Sequence, residues 1–146
     1  MLETKNLLLI VNTTEAANQY ASYVVAFLAK KLGNVPNVTI FYGPSAVAMA
    51  KKGELAKLAI PAEVKELIAS QLEGLSAADL PDNLEQMARF QKEQLGVTIA
   101  LCATFHVIGG FATSVDDTAN IEDFIVPVQL PNAWEALASA DKILYY

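Results

Sequence analysis

Cys102 and His106 are the chain's one cysteine and one histidine, four residues apart. A thiolate is a strong nucleophile, and a neighbouring imidazolium favours that form. If the segment from Ala103 is helical, this spacing lets the His106 ring approach the Cys102 sulfur. The competing reading is a partly buried, hydrogen-bonded histidine between Phe105 and Val107. A free cysteine is also commonly just a small buried hydrophobe. One cysteine excludes an intrachain disulfide, and one Cys with one His cannot build a structural zinc site. No metal is expected.

Other chemistries fail on residue type. The chain has no G-x-G-x-x-G and no G-x-x-x-x-G-K-[ST], so nucleotide loops of either kind are absent. A flavin phosphate needs a glycine- or Ser/Thr-rich loop ahead of the first helix. Here that loop is Asn12-Thr13-Thr14-Glu15, and Glu15 has the wrong sign. No cofactor is expected. Asp116-Asp117 reads as a solvated turn rather than an acid/base pair.

Charge excludes a further class. Lys and Arg total 10 against 16 Asp and Glu, a net charge of -6, and Arg89 is the only arginine. Phosphate backbones need clustered cations. The densest basic spots, Lys30-Lys31 and Lys51-Lys52, read as solvated helix ends, so nucleic acid is not an expected partner. No run approaches the ~20 apolar residues of a membrane span. The segment from Met1 to Lys5 lacks a basic stretch followed by a signal-length apolar run. The expected location is the cytoplasm. At 53% hydrophobic and 18% charged, the chain is apolar for a small domain. It must bury both faces of a sheet, hide surface in an oligomer, or do both.

The elements that must position these residues follow from periodicity. Asn6 to Val11 is a short, nearly all-apolar run, which suits a strand buried on both faces. A helix follows over Ala16 to Leu32, with Tyr20, Val24, Phe27, Leu28 and Lys31 on one stripe and Gly33 as its stop. Asn37 to Tyr42 is a second strand, broken by Gly43-Pro44-Ser45. A short helix is expected over Ala46 to Lys52, ended by Gly53. Leu55 to Ile60 carries no clear period. Pro61 opens a helix to about Glu73, with Val64, Leu67, Ile68 and Leu72 on one face. Ser76 to Asp82 connects to a helix over Asn83 to Leu95, with Leu84, Met87, Phe90 and Leu95 inward and Gly96 as its stop. Val97 to Cys102 is the third strand, and Ala103 to Phe111 a short helix. Thr113 to Asn120 is a polar loop. Phe124 to Val128 is the fourth strand, Pro131 opens a helix with Trp134, Leu137 and Ala138, and Lys142 to Tyr146 is the last strand.

Strands alternate with helices throughout, which implies a parallel sheet covered on both faces. The expected fold is one α/β domain over residues 1–146, a flavodoxin-like three-layer sandwich of about five mainly parallel strands. Ligands in such sheets sit beyond the carboxyl ends of the strands. Three segments should converge there: Asn12-Thr13-Thr14, Gly43-Pro44-Ser45 and Cys102-Ala103-Thr104. Asn12, Thr13, Gly43, Ser45, Thr104 and His106 are thus the candidate substrate-binding residues around Cys102. At the start of a helix, free backbone N–H groups and the helix dipole favour a thiolate.

The order of segments resembles the DsrE/DsrF-like family of small sulfur-relay proteins, including the TusD type. The resemblance rests on Val38-Thr39-Ile40-Phe41-Tyr42-Gly43, on the Val47 segment ending in Lys51-Lys52-Gly53, and on Gly96-Val97-Thr98-Ile99-Ala100-Leu101-Cys102. Gly109 and the closing Ala140-Asp141-Lys142-Ile143-Leu144 complete it. It covers nearly the whole chain. Two stretches depart from the family pattern: an apolar Ala103 to Ile108 and a long insert from Leu55 to Asp82. The resemblance implies that Cys102 carries sulfane sulfur as a persulfide or thiosulfonate. It implies exchange with donor and acceptor proteins or small thiols, as a sulfur carrier or sulfurtransferase, and assembly as a trimer or hexamer. The alternative is a non-catalytic module that binds a small ligand or a protein through the same crevice.

Overall fold

In the computed structural model, residues 3–146 are described; Met1 and Leu2, where the segment read for a leader begins, lie outside them. Five strands form one sheet: β1 (Asn6–Val11), β2 (Asn37–Tyr42), β3 (Thr98–Cys102), β4 (Val126–Val128) and β5 (Lys142–Tyr145). All pair in parallel, in the order β4-β3-β2-β1-β5. Five helices connect them: α1 (Ala16–Lys31), α2 (Ala62–Gln71), α3 (Leu84–Leu95), α4 (Ala103–Ile108) and α5 (Leu130–Ser139). The chain is therefore the expected three-layer α/β sandwich with a flavodoxin-like layering.

The order follows from handedness. Stepping β1 to β2 to β3 with right-handed crossovers puts α1 and α3 on one face. Returning from β4 to β5 reverses the direction and puts α5 on the other. Leu9, Ile40 and Ile99 lie side by side across the sheet, as do Val11, Tyr42 and Leu101. All six are buried, in one core with Tyr23 and Ala26 of α1 and Leu84, Met87 and Ala88 of α3. Leu8, Ile10, Phe41, Ala100 and Cys102 alternate to the α5 face.

Local boundaries shift where propensity met tertiary contacts. The expected helix over Ala46 to Lys52 is a single 3-10 turn, Val47–Ala50, and Lys51 pairs with Ile121 in an antiparallel bridge. Leu55–Lys57 forms a second 3-10 turn. The helix opened by Pro61 stops at Gln71, and Val64 and Leu67 stay exposed. The α4 helix ends at Ile108 rather than Phe111, because Gly109-Gly110 breaks it; Gly110 has φ +82°. Phe124 and Ile125 are buried but precede β4. Asn83 caps α3 by accepting from the Gln86 N–H, and Gly96 ends it in the left-handed region at φ +72°, where only glycine is unstrained. The NTTE turn does not cap α1 through a side chain. Asn12 is engaged elsewhere.

Five polar side chains sit inside the α1 layer, and Ser22 Oγ donates to the Gln19 carbonyl at 2.8 Å. Tyr23 Oη donates to Tyr42 Oη at 2.8 Å, and Tyr42 Oη donates to Gln19 Oε1 at 3.1 Å. Gln19 Nε2 donates to the Thr13 carbonyl at 2.7 Å. Gln91 Nε2 donates to the Tyr23 carbonyl at 2.8 Å. Burial pushes both phenols well up, so they remain neutral donors. In Tyr42→Phe the buried Gln19 Oε1 loses its donor and the Tyr23 hydroxyl its acceptor. We expect a loss of about 1–3 kcal/mol in urea unfolding at unchanged fold.

Candidate active site

The strand register builds the site. Val11, Tyr42 and Leu101 form one row, so Asn12, Gly43 and Cys102 stand together one residue beyond it. With adjacent strands ~4.8 Å apart, the Asn12 and Cys102 backbones stand roughly 10 Å apart across this edge. On the outer side Cys102 pairs with Val128, two residues ahead of α5.

Two of the turns are locked to each other. Asn12 Oδ1 accepts from the Ser45 N–H at 2.9 Å, and the Gly43 N–H donates to the Val11 carbonyl at 2.9 Å. A Cβ at position 43 would lie 2.9 Å from Asn12 Oδ1. Any side chain there would drive Asn12 off Ser45, so the glycine permits the close approach. Thr13 faces two demands: its carbonyl takes Gln19 and its hydroxyl accepts from the Glu15 N–H at 3.2 Å.

Cys102 is the residue before the first turn of α4, with 6% of its surface exposed and no disulfide partner. Thr104 is half-buried in that first turn. His106 is 2% exposed and stacks flat on Phe111, with ring centroids 5.9 Å apart. Its Nε2 has no hydrogen-bond partner. No hydrogen bond joins it to Cys102 among the described residues. Burial pulls the imidazole below its usual 6.5, with the Asp117 carboxylate opposing weakly. The ring is buried, as the competing reading expects, but it lacks that reading's hydrogen bond at Nε2 among the described residues and rests on Phe111 instead.

The expected solvated turn is an organised loop. Asp117 accepts from the Thr113 N–H, the Thr113 hydroxyl and the Ala119 N–H. These donors hold its carboxyl below the usual carboxylate range. Asp116 accepts from Gln129 at the start of α5. The sequence reading missed how the end of this loop is anchored. Buried Glu122 accepts from the Gly53 N–H at 2.7 Å, and Arg89 reaches Glu85, Glu122 and Asp123 while lying over the Phe124 ring. Burial raises the Glu122 carboxyl, Glu85 adds to this, and the Gly53 N–H and Arg89 oppose it. The available signal was a lone arginine four residues after Glu85. Among the described residues, no three Cys, His, Asp or Glu side chains gather as a metal-holding group. No helix there is long and apolar enough to cross a membrane.

No protein-family model matches the chain, and no curated protein does. Among solved structures it is similar to the ychN protein from E. coli, at 18% identity and TM-score 0.62. The match covers 97% of this chain and 99% of that one. The likeness is one of fold.

The histidine carries a pH prediction. Its folded-state value lies below 6.5, so the unfolded chain binds the proton more readily. Stability from this group is then full above the unfolded value of 6.5 and declines as pH falls from there through the lower folded-state value. In His106→Phe, which keeps a ring against Phe111, thermal melts across this window should show a flatter decline than the parent. The His106 ring should also titrate by NMR with a midpoint below 6.5.

Proposed function

We propose that this chain is a small sulfur-relay protein of the DsrE/DsrF-like type, working in the cytoplasm and carrying sulfane sulfur on Cys102. The observation that carries this reading is the position of its one thiol. Cys102 ends β3, the strand next to edge strand β4, precedes α4, and shares the carboxyl edge with the locked Asn12 and Gly43-Ser45 turns. The first N–H groups of a helix have no intrahelical acceptors. The common fold with the ychN protein and the family-like segments around Cys102 support the same reading.

The step is a sulfane transfer. The Cys102 thiolate attacks the terminal sulfur of a donor persulfide. A new S–S bond forms on Cys102, the donor's S–S bond breaks, and the donor leaves as its thiolate. The proton stays on the transferred sulfur, and no outside oxidant is needed. An acceptor thiolate then repeats the attack on the Cys102 persulfide. Because Cys102 is nearly enclosed, small persulfides should load it faster than bulky ones.

Incubation with glutathione persulfide should add one sulfur atom to the intact chain and none to Cys102→Ser. A Cys102 that alkylates with iodoacetamide yet gains no sulfur overturns the proposal. It would favour the binding-module reading, in which Cys102→Ser keeps partner or ligand binding.

The relay unit should be a homo-oligomer, a trimer or hexamer. The α5 side of the sheet is thinly covered: α5 buries no residue fully, and Trp134 and Tyr145 are 67% and 71% exposed. Leu130, Val126 and Ile143 add to this exposed apolar surface. Monomeric domains rarely leave such area open. Light scattering should give a multiple of the 15.7 kDa chain mass, and Trp134→Glu should shift it toward the monomer. A monomeric parent at micromolar concentration contradicts the assembly.

A further inference from the structure

We infer that the space between α1, α2 and α3 is a second binding site, independent of Cys102, for one uncharged, hydrocarbon-rich small molecule the size of two fused rings. A cavity of about 290 Å³ lies there, lined by Tyr20, Tyr23, Val24, Val64, Ile68 and Met87 among others. An apolar cavity of roughly 150 Å³ stays dry and takes benzene. This one is nearly twice that size.

The lining sets the ligand's chemistry. It contains no charged side chain. Its two phenol hydroxyls are already committed, Tyr20 to the Ala59 carbonyl and Tyr23 to Tyr42. A ligand therefore meets no free donor, and a charged or strongly polar one would lose its hydration without return. Two tyrosine rings and the Met87 thioether suit an aromatic guest.

The frame keeps the space open. The space opens to solvent beside Val64, which is 40% exposed, and leaves apolar wall unburied, so an untethered α2 would settle onto α1 and α3. Instead the segment is pinned at its base. Ala59 bridges Asn83, the Ile60 N–H donates to the Asp82 carbonyl at 2.7 Å, and Lys65 of α2 pairs with Asp82. These contacts, with the Tyr20 hydroxyl, fix where α2 starts and hold it off the other two helices. Beyond them α2 buries no residue fully, which leaves it free to admit a guest.

The probe is 1-fluoronaphthalene, followed by fluorine NMR. The parent should bind it with a Kd below about 1 mM, and sodium decanoate should not displace it. Methyl signals of Val24, Val64, Ile60 and Ile68 should shift. Val24→Phe and Val64→Trp fill the space from opposite walls; each should weaken binding at least about tenfold while still melting cooperatively. Cys102→Ser should bind as the parent does, which separates this site from the sulfur reading. No binding by the parent, equal binding by filled variants that fold, or methyl shifts confined to the α5 face each overturns the site. If neither filled variant folds, the parent's methyl shifts alone decide it.

Discussion

The burial of one sheet face under α1 and α3 is the constraint on which the rest depends. Leu9, Ile40 and Ile99, then Val11, Tyr42 and Leu101, lie in register beneath those helices. A slip of one residue in any strand would turn its buried side chains to the opposite face. The same register leaves no choice about the carboxyl edge. Asn12, Gly43 and Cys102 come level because the residues before them are packed. The site geometry is thus largely a by-product of core packing, and the Asn12–Ser45 side-chain hydrogen bond is an added tie at the edge itself.

Polar groups in that core are handled by pairing under α1, except at Gln91 Oε1, which finds no partner among the described residues, and by compromise elsewhere. Tyr23, Tyr42 and Gln19 form a one-way chain of donors ending on the Thr13 carbonyl, which ties the first site turn to the interior. Glu122 shows the compromise: a buried carboxyl shares one arginine with two other carboxylates and takes a backbone N–H from Gly53. What this gains is attachment of the end of the α4–β4 loop to α3 and to the turn at Gly53. The α4 helix is six residues long and could not hold that loop alone.

The two faces of the sheet are unequal. The α1–α3 side carries nearly all of the buried core, whereas α5 rests on the sheet through its small residues, Ala133 and Ala136, with Trp134 turned outward. A helix that approaches closely through alanines covers little area. The second face is therefore finished by neither α5 nor the edge strands. The α2 insert has the opposite relation to the core: its apolar side faces inward but is held away from it.

Much of this was legible in residue order. Alternating apolar runs and amphipathic stretches marked five strands and four of the five helices close to their observed ends. Gly96 stopped α3, where its φ is positive, whereas Asn83, read as the helix's first residue, proved to be its cap. Cys102 at a strand's carboxyl end also came from the pattern, since a short apolar run followed by a helical one locates the junction. Three things were out of reach. The segment Ala46 to Lys52 has helical composition, yet the Lys51–Ile121 bridge, 70 residues apart, limits it to one 3-10 turn. The role of Asn12 depended on Ser45, and that of Glu122 on Gly53 and Arg89. By itself the sequence determined the element types, their order and the one thiol at the edge, because periodicity and turn residues are local properties. Which strands became neighbours, which face each helix covered, how His106 was oriented and where a gap was left under α2 were decided only in three dimensions. Those outcomes depend on contacts between segments whose separation along the chain no local pattern encodes.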